Sequence, residues 1–160
     1  MPITARDNGS PGLSEYLRKR DFSTTPEPAG KQPGRADSRL PRFVVQEHHA
    51  RSLHWDFRIE SAGVLRSWAV PKGPPLEPGV KRLAVAVEDH PLDYIDFAGV
   101  IPPGNYGAGE VLIWDQGTYE ILEETDATLR LRLAGGRLAG VYQLVHTRSN
   151  QWLMWRRDDG

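Results

Sequence analysis

The sequence predicts a mostly β fold: a compact single-domain antiparallel β-barrel with short flanking helices and an irregular N-terminal arm. Three observations carry this reading. From Phe43 onward, short runs alternate apolar and polar residues with a period of two, as in Leu129, Leu131 and Leu133 against Arg130 and Arg132. Small and glycine-rich breaks separate many of the runs: Ser61-Ala62-Gly63, Gln116-Gly117 and Ala134-Gly135-Gly136. The chain has 160 residues, 39% of them apolar, which is enough for one core and fits one domain.

In chain order, residues 1–12 read as a flexible tail, broken by Asn8-Gly9-Ser10-Pro11-Gly12. The folded domain is expected over 13–157, with a helix and arm over 13–42 and the barrel over 43–157. Ser14 is placed to cap a short helix carrying Glu15 to Lys19. Residues 23–42 are rich in Pro, Gly, Ser, Thr and Arg, and read as an arm crossing the surface. Candidate strands follow at 43–48, 54–60, 64–70, 82–88, 110–115, 118–122, 128–133, 140–147 and 151–156. Many short strands with such turns favour a barrel or sandwich. Residues 102–109 read as a long irregular loop. That loop lacks the Lys-Ser/Thr ending of a phosphate-binding P-loop.

Composition excludes several classes. No apolar run approaches the ~18 residues of a membrane span, and the N-terminus has no apolar signal region. The absence of cysteine removes disulfides and thiolate metal sites and fits a reducing cytoplasm, the expected location. Any metal must therefore be held by imidazole nitrogens and carboxylate oxygens. The net charge of -1 rules out a globally basic nucleic-acid binder. Basic residues nevertheless cluster early (Arg18, Lys19, Arg20, Arg35, Arg39, Arg42), which permits a local phosphate-binding face or a plain solvated one.

The strongest chemical pattern is Gln46-Glu47-His48 followed by His54-Trp55-Asp56-Phe57-Arg58. On a strand, His54, Asp56 and Arg58 share one face, and Trp55, Phe57 and Ile59 the other. Gln46 and His48 likewise share a face. Residues 49–53 are short enough to turn the chain back and bring His48 beside His54. Two imidazoles and a carboxylate then converge, a set that suits Mn²⁺, Zn²⁺ or Fe²⁺. Arg58 beside them can hold a phosphate oxygen. The plain alternative is two partly exposed histidines and a surface Asp–Arg pair. A second pattern, Glu88-Asp89-His90-Pro91-Leu92-Asp93-Tyr94, follows an apolar strand. There His90 suits phosphate contact or proton transfer and Tyr94 adds a hydroxyl, unless the segment is only a turn. Lys72, in a Pro/Gly-rich loop, is a phosphate-ligand candidate or a surface lysine. His146 reads as structural, and the five tryptophans as core and barrel-end packing.

Five ordered strings resemble the 3′-phosphoesterase domain of bacterial DNA ligase D. They are Phe43 to His48, Leu53 to Arg58, Ser67 to Pro74, Glu88 to Tyr94 and Gly99 to Gly109. The similarity spans roughly residues 13–157, and Leu13-Ser14-Glu15-Tyr16 with Lys19-Arg20-Asp21-Phe22 resembles the family's N-terminal arm. The resemblance implies a β-barrel and Mn²⁺-dependent healing of 3′ ends, with Zn²⁺ or Co²⁺ as other possible ions. A 3′-terminal ribonucleoside is removed first and the remaining 3′-phosphate second, leaving a 3′-hydroxyl. It implies His48, His54 and Asp56 as metal ligands. Arg58, His90 and Tyr94 match the phosphate-contacting and catalytic set. Gln46, Lys72, Arg82, Glu88, Arg20 and Asp21 match supporting positions in or near the site, with Lys72 and Glu88 grouped with the catalytic residues. Implied partners are DNA or RNA–DNA primer-template 3′ ends and an end-joining ligase or polymerase, fused or in trans. The chain has no Lys-x-Asp-Gly ligase nucleophile of its own. Glu47 stands where the family usually has Lys, His49 where Asp is frequent and Trp55 where Tyr is frequent. By alternation Glu47 and Trp55 point away from the polar face, though Glu47 makes the approach to the site less basic.

Two other readings compete. His54, Asp56 and a distant His146, with Arg156 ten positions later, have the spacing of a non-haem iron oxygenase triad. Alternatively, the domain is a non-catalytic module that grips DNA or a repair partner through its basic arm.

Overall fold

The structure, a computed structural model, describes residues 13–30 and 40–158. The expected tail, and Arg35 and Arg39 of the basic cluster, lie outside the described residues. A five-residue helix α1 (Ser14–Arg18) opens the described chain. The strands are β1 (Arg42–His49), β2 (Leu53–Ser61), β3 (Val64–Val70), β4 (Lys81–His90), β5 (Gly99–Ile101), β6 (Gly109–Glu124), β7 (Thr128–Gly135), β8 (Ala139–Arg148) and β9 (Gln151–Arg156). A 3-10 helix, Leu92–Asp96, joins β4 to β5. Strand neighbours run β1-β2-β3-β4-β9-β8-β7-β6, and β6 pairs back onto β1. All of these pairings are antiparallel, so the sheet closes into a barrel and β5 extends β6 on the outside.

The mostly β antiparallel barrel is thus as expected, with three local differences. Gln116-Gly117 is not a turn; β6 runs through it as one 16-residue strand. Gly117 pairs with Phe43 on β1 and Gly135 on β7 at once. A Cβ there would lie 2.1 Å from the Ala134 carbonyl oxygen, so glycine serves close strand approach and not reversal. The short β5 was not expected at all. Ser14 is the first helical residue, and the N-cap is Leu13, which makes no side-chain capping bond.

The barrel interior holds Phe43, Val45, Phe57, Ile59, Trp68, Val70, Leu131, Tyr142, Trp152 and Met154, all at most 1% exposed. The opposite face of β1 carries Val44. It packs with Tyr16 of α1, Leu65, and Tyr94 and Ile95 of the 3-10 helix in a second cluster. The arm and the 3-10 helix therefore roof the outer wall of the barrel beside β1–β3. The strip between roof and wall is where the polar side chains of β1 and β2 emerge.

Candidate metal centre and phosphate pocket

The β1–β2 hairpin sets the geometry by its register. His48 pairs directly with His54, Gln46 with Asp56 and Val44 with Arg58. The imidazole centroids are 4.8 Å apart. Ligand atoms of His48, His54 and Asp56 all lie within 4.8 Å of one another, the one such cluster found among the described residues. His48 Nδ1 is 3.5 Å from Asp56 Oδ2, and His54 Nε2 is 3.2 Å from Asp56 Oδ1. Backbone carbonyls fix the other ring nitrogens. His48 Nε2 donates to Gly107 O at 2.7 Å, and His54 Nδ1 donates to Ser52 O at 3.0 Å. A carbonyl only accepts, so in each neutral ring the lone pair is left on the nitrogen facing Asp56. Anchoring the far nitrogen of a histidine is the usual support for a metal ligand. The donor set fits a divalent cation, with His48 Nδ1, His54 Nε2 and the Asp56 carboxylate as its protein ligands.

Burial works against ionising Asp56, but Arg58, His48 and His54 outweigh it and hold the carboxyl well below its usual range. Burial likewise opposes a charge on His54, yet its contact with Asp56 raises the pKa above 6.5.

Arg58 is the hub. Its Nη2 lies 3.3 Å from Asp56 Oδ2, and its Nε donates to Gln46 Oε1 at 2.6 Å. Its Nη1 lies 3.2 Å from His90 Nδ1. Those contacts engage three of the five guanidinium N–H groups, leaving two for a ligand. Gln46 in turn donates to the Tyr94 and Phe97 carbonyls at 2.9 and 3.1 Å, which ties the 3-10 helix to the barrel wall. His90 Nδ1 also lies 3.0 Å from Glu88 O. An arginine only donates and a carbonyl only accepts, so Nδ1 serves one of them at a time. Burial, then the Arg58 and Arg20 charges, push His90 well below its usual pKa, so the ring is neutral.

Glu88 and His90, two residues apart at the end of β4, line one cavity, and the strand pairing shifts beside them. Between Leu65↔His90 and Ser67↔Val87, β4 carries one residue more than β3. The cavity, about 330 Å³, is lined by Arg20, His48, His54, Asp56, Arg58, Glu88, His90 and Tyr94 from the expected set. Gln46 is fully buried behind it. Arg20 bonds Glu27 at 3.0 Å and Glu88 at 3.4 Å.

The structure does not place every expected residue on that lining. Asp21 is exposed and accepts hydrogen bonds from Ser23. The Lys72 side chain is exposed, and Arg82 donates to the Lys72 and Gly73 carbonyls. His146 belongs to a different wall: it stacks on Trp152 at 5.0 Å, and its Nε2 donates to Ser149 O. Arg156 donates to Leu76 O. The His54/Asp56/His146 oxygenase triad is therefore not assembled, because β8 holds His146 away from the hairpin.

Other residues were missed. Glu27 is 4% exposed; it accepts from the Tyr94 hydroxyl at 2.7 Å, from Arg20 and from Thr25. The Tyr94 proton is thus committed to Glu27 and not to the cavity. Burial and the Glu27 charge together raise the Tyr94 pKa well above 10, although Arg58 pulls the other way. Nothing in Pro26-Glu27-Pro28 signals a buried carboxylate. Lys19 reaches Glu88 at 3.3 Å, and Tyr106 and Gly107 complete the cavity rim. Three carboxylates (Glu27, Asp56, Glu88) thus face Arg20, Arg58 and Lys19 in near balance, and a divalent ion would tip the cavity positive.

A closed β-barrel with two imidazoles and a carboxylate beside a buried guanidinium has the donor set of a metal-dependent phosphoryl-binding protein. A sequence model described as the DNA ligase D 3′-phosphoesterase domain matches residues 46–146, more than half of the chain. The chain belongs to that family. It is 50% identical over 157 residues to the multifunctional non-homologous end joining protein LigD of Pseudomonas aeruginosa, covering 92% of this chain and 19% of that protein. The corresponding LigD of Mycobacterium tuberculosis H37Rv is 48% identical over 149 residues, covering 90% and 19%. That of Mycolicibacterium smegmatis is 44% identical over 158 residues, covering 92% and 21%. The chain spans about a fifth of the length of these relatives. No helix among the described residues is long and apolar enough to cross a membrane.

Proposed function

We propose that this domain is a Mn²⁺-dependent phosphoesterase that heals 3′ ends during DNA strand-break repair. In the first step the bond from phosphorus to the 5′-oxygen of a 3′-terminal ribonucleoside is hydrolysed, releasing the nucleoside and leaving a 3′-phosphate. In the second the bond from phosphorus to the 3′-oxygen is hydrolysed, releasing phosphate and leaving a 3′-hydroxyl. The observation that carries the reading is the convergence of His48, His54 and Asp56 beside Arg58, all four lining one cavity.

His48, His54 and Asp56 are the residues that would hold the ion. A bound divalent ion polarises phosphoryl oxygens and lowers the pKa of bound water. Arg58 neutralises charge on the phosphoryl group and keeps its own geometry through Gln46 and Asp56. With Arg58 donating to His90 Nδ1, the proton of the neutral ring sits on Nε2, from which it can be donated to a phosphoryl oxygen. Tyr94 holds Glu27, and Glu27 with Glu88 holds Arg20. Off the cavity lining, Lys72 and Arg82 would hold neighbouring phosphates, and Asp21 supports the arm through Ser23. The ligase and polymerase that use the product are partners, fused or in trans, and the site of action is the cytoplasmic nucleoid.

A primer-template ending in one ribonucleotide, incubated with Mn²⁺ or with EDTA and resolved on a gel, tests the proposal. The expected result is metal-dependent shortening to a 3′-phosphate and then a 3′-hydroxyl, with both steps abolished by His54→Ala. Unchanged primer in the presence of Mn²⁺ would overturn it.

A further inference from the structure

The cavity has two aromatic lining residues, and they differ in kind. Tyr94 is 2% exposed and bonded to Glu27; Tyr106 is 50% exposed at the rim. Tyr106 is nevertheless held in place. Lys19 Nζ lies 4.4 Å over its ring and 3.3 Å from its hydroxyl, and the Arg20 guanidinium lies 5.3 Å from the ring. Lys19 is itself paired with Glu15 at 3.0 Å and Glu88 at 3.3 Å. The loop backbone is tied to the arm at the preceding residue: Thr24 Oγ1 donates to Asn105 Oδ1 at 2.8 Å, and Asn105 Nδ2 donates to Thr24 O at 3.3 Å. Two cations hold the ring, and half of Tyr106 is still exposed, which leaves aromatic surface for a ligand. The ring stands at the mouth of a cavity whose floor suits a phosphoryl group.

Size supports a base at the rim. At about 330 Å³, the cavity lies at the lower end of the roughly 300–1,000 Å³ usual for small-ligand sites. Arg20, Glu27, Asp56, Arg58 and Glu88 line it, which suits a phosphoryl group and ribose better than a nucleobase.

We infer that Tyr106 is the stacking platform for the base of the terminal nucleoside, the leaving group of the first step; this rests on the function proposed above. Stacking on a π-face accepts any base, which suits an enzyme that meets ends of any sequence. The second step has no terminal nucleoside, so the platform acts on the diesterase step alone.

The test compares the wild type, Tyr106→Ala and Tyr106→Phe on three primer-templates. One ends in a ribonucleotide, one in the same ribose without its base and one in a 3′-phosphate. For ribonucleoside removal, Tyr106→Ala should lower kcat/KM about ten- to a hundredfold, and Tyr106→Phe should retain most of it. The penalty should shrink at least tenfold on the baseless substrate and on the 3′-phosphate. In EDTA, a terminal 2-aminopurine ribonucleotide should be quenched on binding wild type and Tyr106→Phe, and not Tyr106→Ala. An equal penalty on all three substrates, equal loss in both variants, or quenching that survives in Tyr106→Ala would overturn the inference. A wild type inactive on every substrate with Mn²⁺ would overturn the function itself, and the inference with it.

Discussion

The same two strands, β1 and β2, build two regions with opposite economies. Inside the barrel, Phe43, Val45, Phe57 and Ile59 join a cluster that also draws on β3, β4 and β6 through β9. Outside, Gln46, His48, His54, Asp56 and Arg58 form a network of discrete polar contacts, each with named partners. Dispersion and burial are shared among many neighbours, so the interior degrades by degrees. A buried polar network has no such redundancy, because each lost partner strands a charge or a donor. The interior therefore carries stability and the outer face carries the candidate site, although the two faces alternate residue by residue.

Adjacent substitutions break the comparison most sharply. Asp56→Asn should reduce Mn²⁺ affinity by more than the roughly 10–100-fold that loss of a supporting residue costs at a metal site, and activity should fall with it. Calorimetric titration and the gel assay read both. Phe57→Ala, one residue away, should cost about 3–5 kcal/mol of stability by denaturant unfolding while the folded fraction keeps its Mn²⁺ affinity. Equal loss of metal affinity in both variants would show that the faces are not separable.

A smaller effect sharpens the boundary between metal ligand and support. Gly107 has φ +76°, and a Cβ there would sit 3.3 Å from His48 Cε1. Gly107→Ala should cost about 1–2 kcal/mol in backbone strain and weaken Mn²⁺ binding roughly tenfold by moving His48. Unchanged affinity would mean that the Gly107 carbonyl does not orient the ring.

The smallest effect is on pH dependence, in the metal-free protein. His90 is depressed, so below pH 6.5 the unfolded chain takes a proton that the native ring refuses. Stability should therefore fall as the pH drops through that window, by up to about 1.4 kcal/mol per pH unit. His54 is raised, so its contribution is complete below pH 6.5 and is lost as the pH climbs through its higher native value. Urea unfolding across pH 5–8 should show His90→Gln flattening the acid side and His54→Gln the alkaline side. The same slope in wild type and variants would refute the assignment.

Much of this was legible beforehand. The strand alternation and the short 49–53 turn placed His48, His54 and Asp56 together, and the pairs that join them, His48↔His54 and Gln46↔Asp56, are close in the chain. Gln116-Gly117 misled because glycine serves both turns and close strand approach, and only barrel closure shows which. Lys72, Arg82 and Asp21 carry the right chemistry, but their backbones set them off the cavity lining. Glu27 gave no sign, because its burial depends on the roof formed by the arm.

What the sequence by itself determined is therefore the β class and the two-faced hairpin that gathers His48, His54 and Asp56, since a period-two pattern and a tight turn are properties of neighbouring residues. Tertiary structure alone decided how distant side chains meet at the pocket. Tyr94 meets Glu27 across 67 residues, Lys19 meets Tyr106 across 87, and Arg20 meets Glu88 across 68. Those contacts exist because the closed barrel brings the arm, the 3-10 helix and the 102–108 loop over one wall, and no local pattern encodes that meeting.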